Sequence, residues 1–366
     1  MINPKILVTG ATGRTGKAVV TQLLAKGWPV RAAVRVRDAR SDLLERYGAE
    51  VVTADIFDPG QLTDAMRGVQ RAYYCPPYHP FVIQSASAFA AAARETGLEQ
   101  IVGLSQWLAG PNHPALMSRQ HWLIDQMFMA LPSTAYTTIM PGFFADSPYL
   151  EVMPFAAHLG VLPLPMEGES RNAPPSVDDI ARVAVAALLD PARHAGKSYR
   201  PTGPELLTVT EMAAIIGRVV GHKVRHVKTP LWMFYKGAKA LGMGPFLLSG
   251  LRHWFQDNDR GAFAVGAPND AVLELTGKNA EDFETIARRH VPSPQSLQSF
   301  RARLAVVAQF MALPLLAGFD PVAYDRAQEQ PVPPAPRLAL DDAAWTASHG
   351  SETSEVLRSM LKVALG

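Results

Sequence analysis

The segment Val8-Thr9-Gly10-Ala11-Thr12-Gly13-Arg14-Thr15-Gly16 constrains this chain more than any other. Apolar Ile6, Leu7 and Val8 lead into it as a short buried strand, and Ala18, Val19, Leu23 and Leu24 behind it mark the inner face of a helix. Strand, glycine turn and helix in that order make an anion site. The glycines let the backbone approach a phosphate closely, and the free N–H groups at the positive end of the helix point at it. Gly10, Thr12, Gly13, Arg14, Thr15 and Gly16 are therefore candidate contacts of a nucleotide phosphate. A glycine turn that only packs helix on sheet is the alternative, but this one sits at the first strand of an α/β pattern, the context that a nucleotide turn requires.

The units that follow extend the pattern. Val30 to Val34 reads as a second strand ending at Arg35, about where this architecture places the residue that reads the adenosine ribose. An acid there accepts from a free 2'-hydroxyl, whereas an arginine pairs with a 2'-phosphate. Arg35, with Arg37 and Arg40 close behind and Arg14 in the turn, argues for NADP(H) over NAD, against the plainer reading of a solvated basic loop. Val51 to Asp55 is the third strand, with Asp58-Pro59 as N-cap and first helical residue. Asp55 and Ile56 then lie beside the adenine, although Asp55 suits a simple turn equally well. Ala72 to Cys75 is the fourth strand, and the loop Pro76-Pro77-Tyr78-His79-Pro80 should run past the cofactor, because ligands of open α/β sheets sit outside the carboxyl ends of the strands. Phe81 to Thr96 is helical, with Gly97 as its C-cap signal; Gln100 to Leu104 is a fifth strand that delivers Ser105; Thr134 to Met140 is a sixth that ends in Pro141-Gly142-Phe143-Phe144. Phe143 and Phe144 suit a pocket for a flat ring, or simply a core.

Composition removes several classes of function. Of 366 residues, 48% are hydrophobic, ample for a core, and charged residues are nearly balanced at +2, unlike the one-sided field of a nucleic-acid binder. A direct nucleic-acid partner is not expected. Cys75 is the single cysteine, which excludes an intrachain disulfide framework and a cysteine-based zinc cluster; ending an apolar strand, it reads as a small buried hydrophobe rather than a nucleophile. His113 and His121 have no third ligand at metal spacing, so no metal site is expected. Lys5 to Val8 already belong to the fold, which leaves no room for a leader and makes a cytoplasmic location the expectation. The apolar stretch Leu304 to Phe319, interrupted by Gln309 and Pro314, is shorter than the roughly 20 residues of a membrane span.

The glycines at 10, 13 and 16 resemble the T-G-x-x-G-x-x-G turn of short-chain dehydrogenases/reductases, in the T-G-A-T-G-x-x-G form of their extended and atypical branches. The resemblance puts Ser105 where that superfamily keeps a catalytic serine and implies a Tyr-x-x-x-Lys helix after it. Aligning the acid that commonly follows this motif with Asp125 puts His121 at the lysine position and Met117 at the tyrosine position. Methionine cannot donate a proton, so tyrosine-driven ketone reduction is not expected. The chain thus resembles the NmrA-like group of atypical short-chain dehydrogenases, over roughly residues 4 to 290. That group includes NADPH-dependent quinone reductases and proteins that bind the dinucleotide as a redox signal. The resemblance implies that His121 hydrogen-bonds the nicotinamide ribose or the substrate; pairing with Asp125 four residues on is the alternative. It also implies that Pro141, Gly142 and Phe143 pass the nicotinamide carboxamide.

In the second half, Ser176-Val177-Asp178-Asp179-Ile180-Ala181 resembles a segment whose aspartates cap a helix, Thr208 to Val220 is helical, and Lys223 to Lys228 alternates into a strand whose basic residues suit either an acidic partner or a charged edge that resists aggregation. Leu231 to Leu251, rich in Trp, Phe, Met and Gly, suits an apolar wall over a substrate or a dimer contact, and Asp282 to His290 resembles the family's last helix. Beyond Val291 lie an apolar helix near Leu304 to Leu313, the Pro331 to Pro336 linker, and a final amphipathic helix with stripe Val356, Leu357, Met360, Leu361 and Ala364 and cap Ser351; the stripe should pack on the body or on a second subunit, with a partner-binding helix a lesser option.

The fold expected is thus a Rossmann-type, doubly wound α/β domain with a largely parallel sheet. Residues 1–290 form an NAD(P)-binding unit, 1–145 mainly for the dinucleotide and 146–290 mainly a small substrate lobe, and 291–366 form a helical accessory extension. The function expected is NADPH-dependent hydride transfer to a small electrophile such as a quinone. The alternative is a non-catalytic NADP(H) sensor acting through a protein partner.

Overall fold

The computed structural model describes residues 3–292, 297 and 299–350. Six strands alternate with helices through the first part of the chain: β1 (Ile6–Val8), β2 (Val30–Val34), β3 (Glu50–Thr53), β4 (Arg71–Tyr74), β5 (Gln100–Leu104) and β6 (Ala135–Ile139). Five short strands follow, β7 (Val161–Leu164), β8 (Arg171–Asn172), β9 (Ser198–Tyr199), β10 (Leu207–Thr208) and β11 (Arg225–Lys228). The central sheet is parallel throughout in the order β3-β2-β1-β4-β5-β6-β9, so the Rossmann-type reading holds. Chain direction across the sheet reverses between β1 and β4. Their helices leave on opposite faces there and open a crevice at the carboxyl ends.

The two-residue period of β1 shows how the layers form. Ile6 and Val8 join one buried cluster with Val19, Leu23, Ile180 and Leu188, from the helices Arg14–Ala25 and Val177–Leu189. Leu7 points the other way, into a cluster with Met66, Phe89 and Phe128 from three helices on the opposite face. All three strand residues are fully buried, as parallel sheets covered on both sides require.

The later strands leave the central sheet, except β9. Strand β8 pairs antiparallel with β10, and β7 pairs parallel with β11, the charged strand foreseen over Lys223 to Lys228. Thr208 caps the helix Val209–Val220 through a reciprocal box with Glu211. In the segment 176–181 the cap differs from expectation. Ser176, not an aspartate, accepts from the Asp179 N–H, while the buried Asp179 carboxylate accepts from the Glu281 N–H and pairs with Arg182. The serine wins because its short side chain reaches the third helical N–H from the extended cap position.

The helix foreseen near Leu304 to Leu313 spans Phe300–Ala312. Farther on, the segment after the prolines is anchored rather than loose. Ala339 and Trp345 are buried in the same cluster as Trp107, Phe143, Trp254 and Phe263. The Ala339 N–H donates to Asp257, Trp345 Nε1 donates to the Trp107 carbonyl, and Arg260 pairs with Asp341 through two bonds of 2.6 Å. His349 stacks on Trp345 at 3.9 Å with Nε2 facing the same carbonyl, and burial pushes its imidazole down to about 3. A Trp345→Phe variant loses the indole hydrogen bond together with the volume of the five-membered ring, with His349 still at the carbonyl. We expect it to lower stability by about 2 kcal/mol, read as a reduced urea midpoint at unchanged slope; an unchanged midpoint would show that the indole does not hold the tail. The stripe from Val356 to Ala364 and its cap Ser351 lie outside the described residues. No helix among the described residues is long and apolar enough to cross a membrane.

Candidate functional site

The site is built on the carboxyl ends of six neighbouring strands. In sheet order these carry Asp55 and Ile56 after β3, Arg35 after β2, the glycine turn after β1, Pro76 and Pro77 after β4, Ser105 after β5, and Pro141 to Phe143 after β6. Sheet order, not chain order, makes them one row.

In the glycine turn each glycine has its own reason. Gly10 adopts φ +59°, and a Cβ there would lie 3.2 Å from Cys75 Cβ. A Cβ on Gly16 would lie 2.2 Å from the Gly10 carbonyl oxygen, and one on Gly13 3.1 Å from it. Gly13 caps the helix Arg14–Ala25 with no side-chain acceptor and no acid in the first turn. The first N–H groups thus remain available to an external anion. Thr9 Oγ1 accepts from the Cys75 N–H at 2.9 Å and holds the turn against the end of β4. Burial raises the Cys75 thiol above its usual range, so it stays protonated and unsuited to nucleophilic work.

The arginines divide. Arg37 pairs with Glu45 and donates to the Val51 carbonyl, and Arg40 is held by Asp38 at 2.6 Å. Arg35 is exposed and has no hydrogen bond or ion pair among the described residues. Arg14 is engaged by Glu151, on the opposite wall of the crevice. Asp55 accepts from the Phe57 N–H at 3.0 Å, the turn-forming role, while Ile56 packs against the cluster around Leu7. An uncapped helix start, a cradle that a Cβ would fill and one uncommitted arginine at the end of β2 together fit a phosphorylated dinucleotide.

Beside the turn lies a cavity of about 470 Å³. It brings together Gly13, Arg14, Thr15, Pro76, Pro77, Ser105, His121, Pro141, Gly142 and Phe143, all singled out from sequence. Gly10, Thr12, Gly16, Arg35, Asp55 and Ile56 do not line it. The far wall comes from the two helices Leu231–Ala240 and Pro245–Asp259, through Phe234, Leu251, Trp254 and Phe255, with Met243 and Leu247. The segment read as an adjustable apolar wall does face the site. Phe143 both lines the cavity and stacks on Phe263 at 4.8 Å, so the ring is wall and core at once.

His121 is buried on the helix Leu116–Met129 and makes no hydrogen bond or ion pair among the described residues. Its ring lies 5.8 Å from that of Tyr78, and burial pushes the imidazole down to about 4, so it is neutral near pH 7. The alternative pairing with Asp125 does not form. Asp125 instead accepts from Ser105 Oγ and from the Tyr136 hydroxyl, each at 2.6 Å. Burial outweighs these two bonds and lifts its carboxyl to about 7. Met117 is buried against Gly250, where a Cβ would lie 2.6 Å from Met117 Cε, so this position supplies packing and no acid.

Glu151 and Trp254 on the cavity wall, and Tyr136 behind Asp125, carry no local signal in the sequence. Glu151 lies in a stretch without pattern, and Tyr136 sits in an ordinary strand. Gly103 was the available signal for Tyr136, since a Cβ there would come 2.4 Å from the Tyr136 hydroxyl. Trp254 turns inward because its Nε1 donates to Ser118 Oγ at 3.0 Å, a contact between distant helices that no local spacing announces.

The profile of the NmrA-like family matches residues 3–243. The chain belongs to the NmrA-like family. Among members and relatives, the NAD(P)H azoreductase of Xenophilus azovorans is 29% identical over 292 residues, spanning 78% of this chain and 97% of the relative. Quinone oxidoreductase 2 of Escherichia coli is 27% identical, spanning 73% of this chain and 91% of the relative. A crystal structure of the NADPH-dependent quinone oxidoreductase QOR2 of Escherichia coli, complexed with NADPH, superimposes with a TM-score of 0.67 at 24% identity, covering 78% of this chain and 99% of that one. That likeness establishes a common fold. The family fold thus accounts for the sheet and its crevice, while about a fifth of this chain exceeds the length of the azoreductase.

Proposed function

We propose that this NmrA-like chain is an NADPH-dependent oxidoreductase that reduces a small, flat, conjugated electrophile, a quinone in the first instance. The observation that carries the reading is the roughly 470 Å³ cavity, aromatic on its outer wall, set directly against the carboxyl ends of β1, β4, β5 and β6. Relatives named as azoreductase and quinone oxidoreductase act on acceptors of that shape, which supports the same class here.

The nicotinamide, when bound, supplies hydride; with one further proton from water this converts a quinone to its hydroquinone while the nicotinamide is oxidised. The residues of the chain have three tasks. The glycine turn and the helix start hold the pyrophosphate, and Arg35 holds the 2'-phosphate. Phe143, Tyr78 and Trp254 bound a slot for a planar ring and keep water from it. His121 presents a neutral ring nitrogen to the acceptor oxygen and stabilises the charge that develops there as a hydrogen-bond donor. Because its imidazole holds no extra proton near pH 7, solvent remains the proton source.

The first test is titration with NADPH and NADH, followed by stopped-flow absorbance at the nicotinamide band after mixing with 1,4-naphthoquinone. Rapid NADPH oxidation is the expected result. Tight binding with a flat trace across a broad acceptor panel would replace the enzyme by a nucleotide-binding regulator, a reading that Met117 at the tyrosine position favours. For His121→Ala we expect kcat/KM to fall about tenfold, the scale of one hydrogen bond, with NADPH affinity unchanged. Turnover equal to the parent would remove His121 from the mechanism.

A further inference from the structure

The inner cavity has an apolar extension. Pro148, Glu151, Phe234 and Met243 line it and also line a second cavity, of about 80 Å³, behind it. The second cavity is walled by Phe155, Leu164, Met233 and Leu241, and it is closed by Gln309, Phe310 and Leu313. Glu151 is the one charged residue on its lining, and its carboxylate is held by Arg14. The closing residues come from the helix Phe300–Ala312 and the turn after it, beyond the part matched by the family profile. The edge between Phe155 and Phe310, with ring centroids 6.0 Å apart, fixes that helix over the opening. Outside it the surface stays apolar, with Leu241 65% and Met311 69% exposed.

We propose that the acceptor of this enzyme carries an aliphatic chain, which leaves the ring slot between Phe234 and Met243 and lies in the second cavity under Phe310 and Leu313. This rests on the oxidoreductase reading above and names its substrate class: alkyl- or isoprenyl-substituted quinones rather than bare rings. The outer cavity is lined mainly by aliphatic and aromatic side chains, with Thr229, Gln309 and the Arg14-paired Glu151 as its polar points. A hydrocarbon chain meets that chemistry, and a polar substituent would be desolvated there against a wall that mostly lacks partners.

The test uses 2-alkyl-1,4-naphthoquinones with one to eight side-chain carbons, on the full chain, against Gly237→Leu and Phe310→Glu. Gly237 faces Leu313 Cδ2, 3.3 Å from where a Cβ would stand, so leucine fills the cavity from a helix that tolerates it. Glutamate at 310 puts a charge at its mouth. In the parent, KM should fall about two- to fourfold per methylene over the first four carbons, at constant kcat, the scale of burying a methylene. Both variants should keep the parent KM for the methyl compound and lose the chain-length dependence; Gly237→Leu should do so at an unchanged thermal midpoint, and Phe310→Glu, which gives up the Phe155 edge, at a lowered one. Parallel chain-length curves in parent and variants, or none in the parent, would overturn the proposal. Calorimetric binding of the same series in the presence of NADP+ separates the two readings. If no member oxidises NADPH, the oxidoreductase reading fails, and binding that tightens with chain length in the parent but not in the variants still upholds the aliphatic subsite.

Discussion

Gly16→Ala is expected to weaken NADPH binding severely. A Cβ at this position stands 2.2 Å from the Gly10 carbonyl oxygen and 2.7 Å from its carbon, both backbone atoms with no rotamer to give way. The turn itself must open. It is held closed by the 2.8 Å bond from the Gly13 N–H to that same oxygen and by Gly10, wedged at positive φ against Cys75. Overpacking of this kind costs about 3 kcal/mol, and here it displaces the turn proposed to hold the phosphates. We expect NADPH affinity to fall by at least about a hundredfold, with the loss of the thermal shift that the nucleotide gives the parent. Gly13→Ala, with its Cβ at 3.1 Å from the oxygen, should show a milder loss, below about tenfold. Binding by Gly16→Ala within tenfold of the parent would mean that the nucleotide does not use this turn.

If Arg35 reads a 2'-phosphate as proposed, Arg35→Ser is expected to bind NADPH and NADH about equally. Of the arginines near the end of β2, it alone lacks a protein partner among the described residues, and a charge-assisted, bidentate contact with a 2'-phosphate is worth about 1.5–3 kcal/mol. NADPH should therefore bind about ten- to a hundredfold more weakly, with NADH unchanged. Arg37→Ser and Arg40→Ser are the controls, because Glu45, the Val51 carbonyl and Asp38 already occupy those guanidinium groups. Equal losses from all three variants would point to a diffuse basic field, and an unchanged NADPH to NADH ratio in Arg35→Ser would move the specificity elsewhere.

The parts of the molecule legible in the sequence are those in which local chemistry and global fold agree. The glycine turn, the buried strands around Leu7 and Val102, the Asp58 cap and the Gly97 helix stop each follow from a few adjacent residues. The row of candidate contacts was legible too, since strand ends in a parallel sheet converge by topology. Pairwise choices between distant residues were not. For Asp125 the sequence offers His121, four residues away; the fold brings Ser105 and Tyr136 instead, whose hydroxyls satisfy a buried carboxylate without bringing in a second charge. Arg14 was read toward a phosphate because it stands in the turn, while Glu151, 137 positions away, is the partner the fold provides. At the start of the helix Val177–Leu189 the sequence offers two aspartates and a serine as caps, and only the serine stands at the extended position from which its oxygen reaches the third N–H.

The anchoring of residues 339–349 has a bearing on how chains of this kind diverge. The Trp107 carbonyl, two positions past Ser105, accepts from the Trp345 indole and faces His349, and the neighbouring Asp257 receives the Ala339 N–H. The loop after β5 and the segment 339–349, which lies beyond the part matched by the family model, are thus one mechanical unit. Substitutions in either are filtered by the other. Positions 107, 257, 339 and 345 should vary together among chains that possess this extension and drift independently in those that do not. Replacing the loop after β5 with that of a shorter reductase would then carry over its side chains without the backing that sets their angle.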